Sequence, residues 1–211
     1  MPTPAHVLAR LIEGNQRFVA HVRGSEAMLS HYRRAELAIA QKPHAVILGC
    51  SDSRVPAELV FDQGLGDLFV IRVAGNIVAP SQLASVEFAA QYFGLGLVVV
   101  LGHTGCGAVS ATLDDLLPDA ASPPASLSSI VSRIRPVVAP LLELDAKLSR
   151  EALMRAGVRA NIRASVEHIR RGTTLIEGLV NTGQLLVVGA EYDLVTGQVE
   201  VLDAPPLPPT A

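Results

Sequence analysis

Four short runs of the chain are apolar at nearly every position: Ala45–Leu48, Leu68–Val73, Leu97–Leu101 and Leu185–Ala190. Each is bounded by turn-forming residues, the pattern of strands buried on both faces of a parallel sheet. A turn over Tyr192–Gly197 then leads to Gln198–Leu202, which reads as an antiparallel edge strand. Between these runs the apolar positions recur at helical spacing. Thr3 can cap a first helix with Pro4 at its first position, and Val7, Leu8, Leu11, Ile12 and Phe18 form its apolar stripe. Further helices are predicted over His31–Gln41, ended by Lys42-Pro43, over Pro56–Phe61, and over Gln82–Phe93 with Ser81 as cap. In the last of these Val86, Phe88, Ala89 and Tyr92 are expected to face inward. Ser128–Leu142 reads as a weak helix broken by Pro136 and Pro140, Ser149–Arg171 as a long one, and Thr173–Val180 as one more. The fold expected is α/β: a mostly parallel central sheet of four strands plus an antiparallel edge strand, flanked by helices.

The 211 residues suffice for one domain with a sizeable core, set here at 1–203. Within it, 1–42 is a helical arm and 118–129 an exposed loop; 204–211 is a flexible proline-rich tail. Apolar residues make up 49% of the chain, which excludes a disordered one. A net charge of −3 gives no footprint for nucleic acid or an anionic membrane. The arginines between Ser149 and Arg171 are interspersed with Glu151 and Glu167 and read as a solvated face. No apolar run approaches the roughly 20 residues of a membrane span, and the start of the chain lacks a signal-peptide pattern. Two cysteines fit a reducing compartment, so a cytoplasmic location is expected.

The chemistry gathers where two of the strands end. Cys50-Ser51-Asp52-Ser53-Arg54 follows the first run, and Gly102-His103-Thr104-Gly105-Cys106-Gly107 follows the third. Ligands of open parallel sheets bind at the carboxyl ends of strands. If both strands share a sheet, Cys50, Asp52, Arg54, His103 and Cys106 can meet at one edge. Two thiolates and an imidazole form a zinc ligand set, to which a carboxylate or a water adds the fourth ligand. Asp52 can be that ligand, or an acceptor held off the metal by a bidentate pair with Arg54. Two alternatives stay open for the cysteines: buried inert thiols, or a redox pair, which lacks a Cys-x-x-Cys spacing. The glycines after the third strand fall as G-x-x-G-x-G, not in the dinucleotide-binding order. The start of the following helix would favour a thiolate at Cys106.

Taken together, Cys50–Arg54 and His103–Gly107 resemble the paired signature of the β-class carbonic anhydrases. Glu13–Phe18, Phe61–Phe69 and Arg72–Asn76 extend the likeness over most of the chain. The resemblance implies one Zn2+ per chain on Cys50, His103 and Cys106, with Asp52 as the alternating fourth ligand. It implies reversible hydration of CO2 to bicarbonate and a proton, by attack of zinc-bound hydroxide. Asp52 and Arg54 would be catalytic. Gln41, Phe69 and Phe88 would line the substrate pocket, Gln41 from a partner chain and Phe88 where plant-type members carry tyrosine. Members assemble as homodimers or homotetramers, and their N-terminal helices reach across a neighbour; packing on its own domain is the alternative for this helix. Some members also bind inhibitory bicarbonate through a tryptophan, an arginine and a tyrosine. Arg72 and Tyr192 match two of these, but Ile47 stands at the tryptophan, so that site is expected to be absent or weak.

Two other functions fit the same ligands: hydrolysis of another small linear substrate such as carbon disulfide, and a zinc-stabilised interaction module without catalysis. Arg54 argues against the module, since a structural site gains little from a group that draws its fourth ligand away. For proton export, His6, His21, His31, His44 and His168 are the candidates.

Overall fold

The computed structural model describes residues 2–22, 37–116, 127–144 and 149–203. Most of the helix expected over His31–Gln41, most of the 118–129 loop, and the tail 204–211 lie outside them.

Five strands form one sheet: β1 (Ala45–Gly49), β2 (Leu68–Arg72), β3 (Leu97–His103), β4 (Leu186–Tyr192) and β5 (Val199–Leu202), in the order β2-β1-β3-β4-β5. The first four are parallel, and β5 runs antiparallel to β4. Every residue of β1 and β3 is buried, which is why neither shows polar alternation. Gly49 pairs with Arg72 on one side and Leu101 on the other, so β1 and β2 end level and β3 runs two residues further, to His103. The chain leaves β1 toward β2 and returns on the other side as β3. The crevice between β1 and β3 is thus the switch point of the sheet, where α/β folds bind ligands.

Successive side chains of β1 point to opposite faces. Val46 and Leu48 join Val98 and Val100 in the core that packs beneath α4 (Gly107–Asp115), α5 (Ser128–Leu144), α6 (Arg150–Arg170) and α7 (Thr174–Asn181). Ala45 and Ile47 join Val99 and Leu101 under α1 (Pro4–Val19) and the one-turn α2 (Ala57–Val60). Burying each Val, Leu or Ile of this kind contributes about 1.5–3 kcal/mol. α3 (Pro80–Phe93) completes the set and ends on Gly94 in the left-handed conformation. Among the described residues, no helix is long and apolar enough to cross a membrane.

Thr3 caps α1 as expected, accepting the His6 N–H at 3.3 Å. The helix packs on its own sheet through Val7, Leu8 and Leu11. Asn15, which interrupts the apolar stripe, is buried too. Its Nδ2 donates to the Val60 and Gly197 carbonyls at 3.1 and 2.9 Å, and its Oδ1 accepts the Val199 N–H at 2.9 Å.

Three expectations need correction. Ser81 does not cap α3: Ala79 holds that position, Pro80 opens the helix and Ser81 lies within it. Val86 and Ala89 do face inward, but Phe88 is 48% and Tyr92 74% exposed. Pro136 and Pro140 do not break α5. Both prolines are exposed, and so is Ser132, whose carbonyl Pro136 leaves without its helical partner. Water can satisfy that carbonyl, while Val131, Ile134 and Val138 keep one buried stripe. The arginines of α6 are also more than a solvated face. Arg159 joins buried Glu191 at 2.7 Å and Glu200 on β5, and Arg170 donates to the Val187 carbonyl at 2.7 Å. They fasten the helix to β4 and β5.

Candidate metal centre

Cys50 is the first residue past β1, and His103 is the last of β3. Gly105 takes a φ of +65°, which turns the chain back so that Cys106 becomes the N-cap of α4. A Cβ there would meet only Leu194 Cδ1, at 4.0 Å, so the glycine serves conformation rather than packing. Thr104 anchors the turn: its N–H donates to the Tyr192 carbonyl at 3.0 Å, and its hydroxyl accepts the Leu194 N–H at 3.0 Å.

These elements bring the sulfurs of Cys50 and Cys106 and a ring nitrogen of His103 within 4.8 Å of one another, all three residues buried. His103 Nδ1 lies 2.9 Å from the Thr104 carbonyl, an acceptor, so Nδ1 carries the proton. That leaves Nε2 as a lone-pair donor. The ring is fully buried, and among the described residues Nε2 has no hydrogen-bond partner. A buried acceptor without a partner is costly unless something fills its lone pair. Soft sulfur ligands, one oriented imidazole and a buried orphan nitrogen all suit a zinc ion.

The thiols behave as a pair. The hydrogen bond from Cys106 lowers the Cys50 pKa to about 4, against the opposing effect of burial. The same bond, then burial, pushes the Cys106 thiol up, and the first-turn amides of α4 pull it down only in part. Burial pushes His103 down, but the neighbouring Cys50, the Thr104 carbonyl and the Asp52 charge together outweigh it, so its pKa is raised.

Asp52 lies beside the cluster, its Oδ2 3.9 Å from His103 Nε2. Arg54 binds it through Nε at 2.9 Å and Nη2 at 2.7 Å. That bidentate pair holds the carboxyl well below the usual carboxylate range. Two residues that sequence reasoning did not connect with the cluster also reach it. Arg72 donates to the carbonyls of Cys50 and Asp52 at 3.0 and 2.6 Å and so fixes the loop between them. The Gly75 N–H points at the Cys50 sulfur from 3.3 Å.

The other expected site residues lie elsewhere in this chain. Gln41 and Phe88 share a surface recess of about 890 Å³ with Leu37, Ile39, Leu65 and Tyr92, and none of the sulfur or imidazole ligands lines it. Phe69 pairs with Val46, four residues before Cys50, and its ring packs against Phe88 and Phe93 at 6.2 and 5.9 Å. Ile47 is fully buried under α1, and Tyr192 is buried on the same face. Of the histidines, His6, His21 and His168 are exposed and His44 is partly buried; His31 lies outside the described residues.

The fold and the cluster define an α/β protein with a buried Cys-His-Cys group, able to hold a metal ion, at the switch point of its sheet. Residues 45–199 match the family described as carbonic anhydrase. The carbonic anhydrase of Mycolicibacterium smegmatis is 40% identical over 201 residues, covering 94% of this chain and 93% of its own. Carbonic anhydrase 2 of Mycobacterium tuberculosis is 39% identical over 200 residues, covering 95% and 93%. Among solved structures, a Coccomyxa β-carbonic anhydrase in complex with acetazolamide superposes with a TM-score of 0.74 at 26% identity, covering 95% of this chain and 88% of its own. The chain therefore belongs to the carbonic anhydrase family, in its β class.

Proposed function

We propose that this protein interconverts CO2 and bicarbonate with one zinc ion per chain, held by Cys50, His103 and Cys106. The observation that carries the reading is the buried His103 Nε2, orphaned and facing two thiols, with an arginine-held carboxylate beside it. When bound, zinc supplies Lewis acidity that makes water a nucleophile near neutral pH. Two thiolates already offset its charge, so that acidity is weaker than in an all-histidine site and activity leans to the alkaline side.

The protein's own groups do the rest. Ionised Asp52 is acceptor-only, so it takes an O–H of the nucleophile and leaves a lone pair aimed at CO2. Arg54 keeps Asp52 in that role and off the metal, and Arg72 keeps the loop that carries both in place. In a second state, at lower pH, Asp52 would be the fourth residue holding the zinc, and the protein would be inactive. Gln41 and Phe88 come to the pocket from a second copy of the chain, because within one chain they face a different recess, and Phe69, packed on Phe88, adds to its apolar wall. Gln41 then donates to a substrate oxygen, and the assembly is a homodimer or a dimer of such dimers. With Ile47 in place of tryptophan and Arg72 committed to two backbone carbonyls, cooperative inhibition by bicarbonate is not expected.

Metal analysis combined with a stopped-flow CO2 hydration assay tests the reading. Wild type should carry stoichiometric zinc and hydrate CO2. Asp52→Asn should keep the zinc and lose roughly 100-fold or more in rate, the scale of a lost proton acceptor. Wild-type protein without zinc, or a fully active Asp52→Asn, overturns it.

A further inference from the structure

Cys50 takes its hydrogen bond from a turn that is itself held from behind. Gly75 has a φ of +70°, and a Cβ there would come within 2.9 Å of Ala108 Cβ and Ile134 Cδ1. Conformation and space both require glycine. Its neighbour Asn76 has a φ of +43°, a strained value for a side-chain-bearing residue. Two side chains of α6 pin this turn. Asn161 Nδ2 donates to the Gly75 carbonyl at 2.7 Å, and Ser165 Oγ donates to the Asn76 carbonyl at 3.1 Å. The two are four residues apart, hence on one helix face, and only 3% and 5% exposed.

The height of α6 above the sheet is set by Ile162, the residue after Asn161. Its side chain fills dents left by two strand glycines. A Cβ on Gly102 would lie 2.5 Å from Ile162 Cδ1, and one on Gly189 would lie 2.6 Å from Ile162 Cγ2. Gly102 immediately precedes His103. One helix is thus seated on the strand that ends in one ligand and holds the turn that faces another.

We propose that Asn161, supported by Ser165, is a positioning residue of the metal centre: it fixes the Gly75 amide on the Cys50 sulfur and so sets how firmly that sulfur keeps its metal. The amide shares the negative charge of the thiolate and restricts its direction. Partners of this kind typically change metal affinity or activity by about 10–100-fold. Asn161 touches neither metal nor substrate and acts only through Gly75. The inference rests on the zinc reading above.

The test compares zinc-loaded wild type, Asn161→Leu and Asn15→Leu by the rate of zinc loss to a chelator. It adds the sulfur-to-metal charge-transfer band of the cobalt-substituted proteins. Asn15 is a buried asparagine on the opposite face of the sheet, so Asn15→Leu matches the loss of buried hydrogen bonds without touching the turn. Asn161→Leu should release zinc about 10-fold faster or more, with a shifted band. Asn15→Leu should lose thermal stability and keep the wild-type release rate and band. Release from Asn161→Leu at the wild-type rate, with an unshifted band, overturns the proposal. Should Asn161→Leu fail to fold, nitrogen-labelled wild type loaded with NMR-active cadmium decides. A coupling between the Gly75 amide and cadmium through the hydrogen bond is expected, and its absence overturns the proposal. Wild type that takes up no metal sinks the zinc reading, whereas wild type that binds zinc with Asn161→Leu unchanged sinks only this inference.

Discussion

Arg54 meets Asp52 with side chain and backbone at once: Nε and the backbone N–H both reach Oδ1, at 2.9 and 3.0 Å, and Nη2 reaches Oδ2 at 2.7 Å. The carboxylate is therefore aimed, and its other neighbour is the imidazole nitrogen 3.9 Å away where a metal would bind. Arg54→Met removes the side-chain donors and leaves the carboxylate free to swing to that metal. Zinc content should stay at wild type, while the CO2 hydration rate falls roughly 10–100-fold. Binding of small anions that need the open metal position should weaken, which inhibition kinetics can read. Full activity in this variant would mean that Asp52 needs no holding.

The same pair has a direction in pH. Arg54 lowers the folded-state pKa of Asp52. Its contribution to stability is therefore present above the ordinary carboxylate value of about 4 and fades as pH falls below it. In wild type, Asp52 is ionised through the neutral range, so its titration adds no limb to the activity profile there. Arg54→Met should return Asp52 toward the ordinary value, and its stability gap to wild type should close on acidification. Chemical denaturation at several pH values measures that gap.

Metal uptake should release protons. At pH 7 Cys50, lowered to about 4, is a thiolate, whereas Cys106, pushed up, keeps its proton. The His103 pKa is raised, so it too holds a proton more firmly than a free imidazole. All three must be deprotonated to bind, so roughly one to two protons should leave per zinc, and affinity should rise with pH. Calorimetry in buffers of different ionisation enthalpy counts them. Release of none, or affinity that falls as pH rises, contradicts the assignment of ligands.

Helix α5 offers a test of stability rather than of activity. Pro136 lies in its interior yet is exposed. Pro136→Ala restores a backbone donor without disturbing the buried stripe and should stabilise the fold by about 1–3 kcal/mol in denaturant unfolding. Ile134→Ala, on the fully buried side, should destabilise by about 2–5 kcal/mol. Equal effects from the two would mean that the helix is packed differently.

The strands and the Cys50-His103-Cys106 cluster were legible because each has a local signature. A strand buried on both faces is an unbroken apolar run, as in β3, and Cys50 and His103 stand where such runs stop. Thr3 was legible for the same reason, since a cap acts on its own first turn. Polar residues buried by distant partners were not. Asn161 finds its acceptor 86 positions away and Asn15 one of its own 182 away, so helical periodicity shows each only as a polar residue. Phe88 and Tyr92 failed in the opposite sense. Their hydrophobicity predicted burial, but they stack on each other at 5.1 Å on a face that the described residues leave exposed.

That face bears on Gln41, which shares its recess with Phe88 and Tyr92. If Gln41 serves the centre of a second copy, Gln41→Ala and Asp52→Asn damage the same site from different chains. Each variant alone should be nearly inactive. Co-expressed, they form mixed dimers in which one site has both substitutions and the other has neither. Random assortment makes about half of the dimers mixed, so about a quarter of wild-type sites should return in a symmetric assembly. The hydration assay on the co-purified mixture, against the two variants mixed after folding, reads the gain. Activity no higher than the mean of the separate variants would place Gln41 in the service of its own chain or of none, and would remove the second copy from the mechanism.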